Sequence, residues 1–160
     1  MLELLSDFAL KALGHLAPFA VAWFYKPEKI AADLKFRVRG EGDGVTVEGG
    51  ELPKVRIWLL ASNLSPFGVE IDRMVIQLVY GSVVGEIANV RKRTLAASKE
   101  AEWLVEGSLN ESQVAYIRKN RDHKPETRLN MTVFVHSKLH DFEHTVSMGS
   151  SNVRFVNFPV

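Results

Sequence analysis

Cysteine is absent from the 160 residues, and with it go disulfides, thiolate catalysis and cysteine-ligated zinc. Neither charge dominates: 20 Lys and Arg against 19 Asp and Glu leave a net +1. That balance gives no basic field to hold nucleic acid, and there is no acidic tail. Internal repeats and low-complexity tracts are missing too. So are a Gly-x-Ser-x-Gly elbow, an ordered Ser, His and Asp set, the Lys-Ser/Thr of a phosphate loop and the ligand spacing of an EF-hand. "GEGDGVTVEGGE" has glycines and carboxylates, but it reads as turns around a short strand. No cofactor is implied. What remains is an ordinary globular composition, 46% hydrophobic and 24% charged, on a chain long enough for one domain with a sizeable core.

The one long apolar run lies at the start. Phe8 to Tyr25 makes 18 positions with a single full charge, Lys11. As a helix it spans about 27 Å, close to the thickness of a hydrocarbon core. Phe8, Leu13, Leu16, Phe19, Trp23, Phe24 and Tyr25 are its candidate anchor side chains, the last three forming an interfacial aromatic belt before Lys26. Glu3, Asp7, Lys11 and His15 recur every fourth residue and draw a narrow polar stripe along it. Pro18 favours a kink there. The segment therefore fits a spanning helix, a helix lying in the membrane plane, or one buried against protein. The leader carries Glu3 and Asp7 rather than basic residues, so it fits a secretory signal poorly. If it spans, Lys26, Lys29, Lys35, Arg37 and Arg39 after it place the main domain on the cytoplasmic side. The division expected is a helical anchor over 1–27 and a folded domain over 34–160.

From Leu34 on, the dominant period is two. "KVRIWLLASN" is apolar on both faces, as a central strand would be. "VEIDRMVIQLVYG" puts Met74, Ile76, Leu78 and Tyr80 on one face, and "RLNMTVFVHS" does the same for Leu129, Met131, Val133 and Val135. One segment breaks the period. "NESQVAYIRKN" opens with Asn110 as an N-cap and Gln113 three residues on, which predicts a capped helix near 110–120. The chain is thus mainly β: an antiparallel two-sheet sandwich of seven or eight strands with one helix, plus the N-terminal hydrophobic helix.

Within that pattern, "NLSPFGVEIDRMVIQLVYGSVVGEI" carries Asn63, Pro66, Phe67, Val69, Ile71, Leu78, Tyr80 and Gly81. A strand ending in Asn, then Pro-aromatic, then a hydrophobic strand closing on a Tyr-Gly turn resembles the LEA-2 family, which includes the water-stress and hypersensitive-response (WHy) domains. The resemblance covers roughly Leu34 to Phe158. It implies a non-catalytic, immunoglobulin-like module, tethered by an N-terminal membrane segment in many relatives and associated with stress protection and lipid handling. "GEGDGVTVEGGELP" replaces the family's usual early segment, leaving the first strand pairing open. Read physically, Asn63 can satisfy backbone groups at a strand exit and Pro66 can stop further pairing.

Three groups of candidate site residues follow. Trp58, Phe67, Tyr80 and Trp103 can line a groove between the sheets for an apolar ligand, lipid or partner, or simply form core. Arg91, Lys92 and Arg93, with Arg118, Lys119, Arg121 and Lys124, can press against anionic lipid, or be solvated edges. His136, His140 and His144 are spaced by four; on a helix they could hold a transition metal, but the flanking valines and threonines favour strands joined by a "SKLHD" hairpin. The expected partners are membrane lipid or a membrane protein, with a protein partner or homo-oligomer as the alternative for a subunit of a larger assembly.

Overall fold

The computed structural model describes residues 25–40, 44–123, 125–150 and 152–158. The proposed anchor residues Phe8, Leu13, Leu16, Phe19, Trp23 and Phe24 lie outside that range, as does Lys124. Among the described residues no helix is long and apolar enough to cross a membrane.

The described residues are mainly β: ten strands in two sheets, with two helices. Helix α1 (Pro27–Asp33) leads into β1 (Leu34–Val38). Strands β2 (Val45–Glu48), β3 (Lys54–Asn63), β4 (Val69–Tyr80), β5 (Ser82–Asn89), β6 (Arg93–Leu95) and β7 (Lys99–Ser108) follow. Helix α2 (Glu111–Asn120) and a 3-10 turn (Arg121–His123) precede β8 (Thr127–Ser137), β9 (Asp141–Ser150) and β10 (Val153–Val156).

In the first sheet β3 is central. One edge of β3 carries β1 and β2 in succession, and the other carries β7. Arg39 N–H donates to the Trp58 carbonyl (2.8 Å) and Trp58 N–H to the Gly44 carbonyl (2.8 Å), so β1 and β2 form one row with an excursion between them. In the second sheet β5 and β6 likewise share one edge of β4, followed by β8 and β9. The ten strands occupy eight rows, more strands than the seven or eight expected. One expectation is corrected: β10 pairs with β2 in parallel, so the sheets are not wholly antiparallel.

The two inner faces make one core. β3 contributes Val55, Ile57, Leu59 and Ala61, and β8 contributes Leu129, Met131, Val133 and Val135. On β4 the buried positions change from odd (Val69, Ile71) to even (Met74 to Tyr80). Side chains alternate strictly along a strand, so the change requires an extra residue; the register slips between Ile71 and Arg73 and leaves Asp72 as the bulge.

Helix α2 begins as its sequence predicts. Asn110 Oδ1 accepts from Gln113 N–H (2.9 Å), and Gln113 Oε1 accepts from Asn110 N–H (2.8 Å), a reciprocal capping box. Helix α1 was not expected. Pro27 suits its first turn, and Ile30 is fully buried in the core. The packed unit therefore starts no later than Tyr25, upstream of Leu34, because Tyr25 packs against the same core.

Candidate functional site

The sandwich has two distinct ends. At one, β3 exits through Asn63, whose side chain is fully buried. Asn63 Oδ1 accepts from Ser65 N–H (3.0 Å) and Ser65 Oγ–H (2.7 Å). Its Nδ2 lies 2.7 Å from the Phe67 carbonyl and 3.2 Å from those of Leu95 and Ala96. This ties together three stretches of chain at a strand exit, so Asn63 has a structural task. The Tyr25 ring meets Phe67 edge-on (4.9 Å), and Lys29 Nζ sits 4.5 Å from the Tyr25 ring.

At the other end, Tyr80 closes β4 and Gly81 turns the chain with φ +72°, a conformation glycine adopts without strain. Tyr80 is buried, and Phe155 of β10 meets it at 6.0 Å in an edge-on contact. Phe155 in turn stacks edge-on with Phe158 (5.5 Å). Beside this row of rings lies an open cleft of about 480 Å³, with Arg121, Asp122, Thr127 and Asn152 supplying its polar groups. Arg121 Nε is 3.7 Å from Asp122 Oδ1. Burial pushes the Tyr80 phenol above its ordinary range, with Arg121 acting against that and Asp122 with it. A second cleft of about 480 Å³ adjoins Phe158, with Val114 and Arg118 at its wall. Gly49 is needed there: a Cβ would meet the Asn157 carbonyl oxygen at 2.5 Å.

The four aromatic residues expected in one groove do not converge. Phe67 precedes β4 and Tyr80 ends it, so the strand's length of about 35 Å lies between them. Trp103 faces the core beside Phe36 (6.3 Å between rings). Trp58 has the opposite parity on β3 and points outward, under the Arg39 guanidinium (4.7 Å). Only Tyr80 lines the end cleft. Sequence reasoning missed Phe155 because β10 reaches the cleft by crossing from the second sheet to the first, and no local pattern marks that.

The basic residues divide. Lys92 Nζ contacts Glu70 (2.8 Å) and Asp72 (3.2 Å), and hydrogen bonding to Lys92 holds the Asp72 carboxyl below its usual range. Arg93 turns inward: Nη2 donates to the Leu104 carbonyl (2.9 Å), and Cζ lies 5.3 Å from the Trp103 ring. Burial, then Arg91, lowers its pKa. Lys92 thus has carboxylate partners at the surface and Arg93 turns toward the core, while Arg91 and Lys92 remain exposed. Arg118 and Lys119 are exposed at the end of α2, and Arg121 is half-buried at the cleft.

The histidines do not gather either. Ser137 and His140 bound the β8–β9 turn, with the Ser137 N–H donating to the His140 carbonyl (3.0 Å). His136 is exposed, and its Nδ1 contacts the Asp141 carboxylate across the strands. His144 opposes Val133 and shares the inward parity, half-buried. The two therefore sit on opposite faces of the sheet, and no group of three metal-ligating side chains forms among the described residues. His144 instead lines a cleft of about 510 Å³ between α1 and β9, beside Pro27 and Phe142. Burial, with Lys35 nearby, lowers its pKa. The unfolded chain thus takes up this proton at higher pH than the folded one, so His144 costs stability as the pH falls through the ordinary histidine range. His144→Gln is expected to flatten the decline in urea midpoint between about pH 7 and pH 5. An unchanged slope would assign the titration to another group.

These features define a class: a two-sheet β-sandwich closed by a short helix at one end and open at the other in an aromatic cleft. No family model matches the chain, and no curated protein matches it by sequence. Among solved structures, a structural-genomics target solved by X-ray crystallography matches at TM-score 0.49 and 8% identity, over 75% of this chain and 89% of that one. A candidate ApaA protein from Bordetella pertussis matches at TM-score 0.44 and 11% identity, over 74% and 89%. A candidate late embryogenesis abundant (LEA) protein is a weak structural neighbour, at TM-score 0.32 and 8% identity over 89% and 83%. Likenesses at this level carry no argument about activity.

Proposed function

We propose that this chain is a non-catalytic, LEA-2-like binding module held at a membrane by its N-terminal apolar run, and that it takes an amphipathic ligand in the cleft between Tyr80 and Arg121. The observation that carries the reading is the composition of that cleft. Tyr80, Phe155, Pro125 and Val153 give it an apolar lining, and Arg121, Asp122, Thr127 and Asn152 supply donors and acceptors. Its volume of about 480 Å³ is that of a small-molecule site. Because Arg121 and Asp122 neutralise one another, the cleft suits a hydrogen-bonding headgroup better than a bare charge. The family reading rests on the resemblance of the Asn63 to Gly81 stretch, in which Asn63 satisfies backbone groups at the strand exit. The alternative of an assembly subunit has less support. The large apolar side chains exposed among the described residues, Leu52, Leu64, Val83 and Val90, divide between both ends and the β5–β6 edge instead of forming one patch.

The test is a titration of the full chain with monodecanoylglycerol and with decanoate, followed by amide shifts. Saturable shifts at Thr127, Val153 and Phe155 are expected, and Phe155→Ala should weaken binding about tenfold. Shifts confined to other surfaces, or none below detergent-like concentrations, would remove the ligand reading. Flotation with vesicles and an alkaline-carbonate wash tests the anchor separately.

A further inference from the structure

Several cations of this surface are paired with carboxylates, while exposed Arg91 and, at the α2 end, Arg118 and Lys119 form no salt bridge among the described residues. On the outer face of the first sheet Arg37, Arg39, Lys54 and Arg56 pair with Glu100, Glu102, Glu48 and Glu106, and Lys92 pairs with Glu70 and Asp72. At the Asn63 end of the sandwich Lys26, Lys29, Lys99 and Lys138 are all exposed, and among the described residues no carboxylate forms a salt bridge with any of them. Lys138 is presented by a turn that Ser137 braces, its Oγ accepting from Leu139 N–H (3.2 Å) and His140 N–H (3.0 Å). Lys99 opens β7 opposite Asn63. Of the acids nearby, Asp141 contacts His136 and Glu100 pairs with Arg37, which leaves Glu28, Asp33 and Glu143. Amid the lysines, Leu64 is 62% exposed on the loop between β3 and β4.

The path of the chain singles out the same end. The apolar run of residues 8–24 joins the fold at Tyr25, and Tyr25 is held against Phe67 at 4.9 Å. The chain thus enters the described fold at this end of the sandwich. We propose that the Leu64 end of the sandwich lies on an anionic lipid surface, with Lys26, Lys29, Lys99 and Lys138 at headgroup level and Leu64 dipping below them. This rests on the reading that the N-terminal run enters the membrane, and goes beyond it by fixing which face the domain presents. A lysine near an anionic leaflet is attracted to it individually, and a single exposed leucine between such lysines gains by leaving water. The ligand cleft then opens about 35 Å away, toward the aqueous side.

The lack of native cysteine makes the test direct. Leu64→Cys and Leu52→Cys, both at exposed positions, are labelled with a polarity-sensitive fluorophore in the full chain. Each is reconstituted in vesicles of equimolar phosphatidylcholine and phosphatidylserine, with a shallow nitroxide-labelled lipid as quencher. The label at 64 should be quenched at least about twofold more than the label at 52. Replacing Lys26, Lys29, Lys99 and Lys138 together by Gln, or raising the salt, should erase most of that difference. If the chain floats with vesicles but position 64 is no more quenched than position 52, the anchor stands and the proposed orientation falls. Preferential quenching at 52 would turn the domain over, setting its α2 end on the lipid. If the full chain does not associate with the vesicles at all, the anchor reading fails and takes this proposal with it.

Discussion

Asn63→Ala should destabilise the sandwich by about 4 kcal/mol, enough to unfold a marginal domain at ordinary temperature. The deletion strands the Ser65 N–H and takes a donor from the Leu95 and Ala96 carbonyls, while Ser65 Oγ–H keeps the Phe67 carbonyl (2.9 Å). Asn63 and Ser65 are both without exposed surface, and the bonds to the Phe67 and Ala96 carbonyls lie at the part-buried margin of the corner. Each unsatisfied buried group costs about 1–3 kcal/mol, and relaxation or an entering water recovers part of the sum. Asn63→Asp separates the two halves of the task. It keeps an acceptor for Ser65 but loses the donor to three carbonyls and adds a charge facing them, so it should be no milder than alanine. Urea unfolding of the full chain, read by far-UV circular dichroism, decides the matter. A loss below about 1 kcal/mol for both variants would mean that the corner is replaceable and that the strand exit is held by packing alone.

The Asn63 corner was legible because its residues are close in sequence and each has one obvious task. The same holds for the helix opened by Asn110 and Gln113, and for the inward set from Leu129 to Val135, where strict alternation names the buried face. Non-local features were not legible. The parallel pairing of β10 with β2 joins Val153 to Val45 across the whole chain, and four-residue strands carry too little pattern to announce a partner. The bulge at Asp72 hid Val69 and Ile71 from the face read for Met74 to Tyr80. α1 was missed for another reason: over seven residues it buries only Ile30, so it shows no periodic stripe.

The site residues illustrate a related limit. Spacing told that His136 and His144 are eight positions apart, and a helix would have stacked them; the β8–β9 turn instead sends them to opposite faces. Charge clustering grouped Arg91, Lys92 and Arg93, yet Lys92 satisfies the carboxylates around the bulge and Arg93 reaches the core. The lysines gathered at the Leu64 end come from three distant parts of the chain and form no run at all. A cluster in sequence is a statement about one strand, and a patch on a sandwich is a statement about its ends.

Trp103→Ala should cost about 4 kcal/mol, whereas Trp58→Ala should cost about 1 kcal/mol, although the two residues sit on neighbouring strands of one sheet. Trp103 opposes Leu59 and is 6% exposed, packed on the inner face near Phe36. Its removal opens a void that the paired β-strands around it cannot collapse to fill. It also strips the ring from beneath Arg93, whose guanidinium is already partly withdrawn from water. Trp58 opposes Leu104 on the outer face, where Arg39 covers it and Arg39 itself reaches Glu102. Losing that indole exposes a strip of sheet that water can reach, and costs mainly one cation–π contact. The comparison also bears on function, because neither residue lines the cleft beside Tyr80. Monodecanoylglycerol should therefore bind Trp58→Ala as it binds the parent chain. Equal destabilisation by the two variants would contradict the strand register, and loss of ligand binding in the folded Trp58→Ala protein would move the site to the outer face of the first sheet.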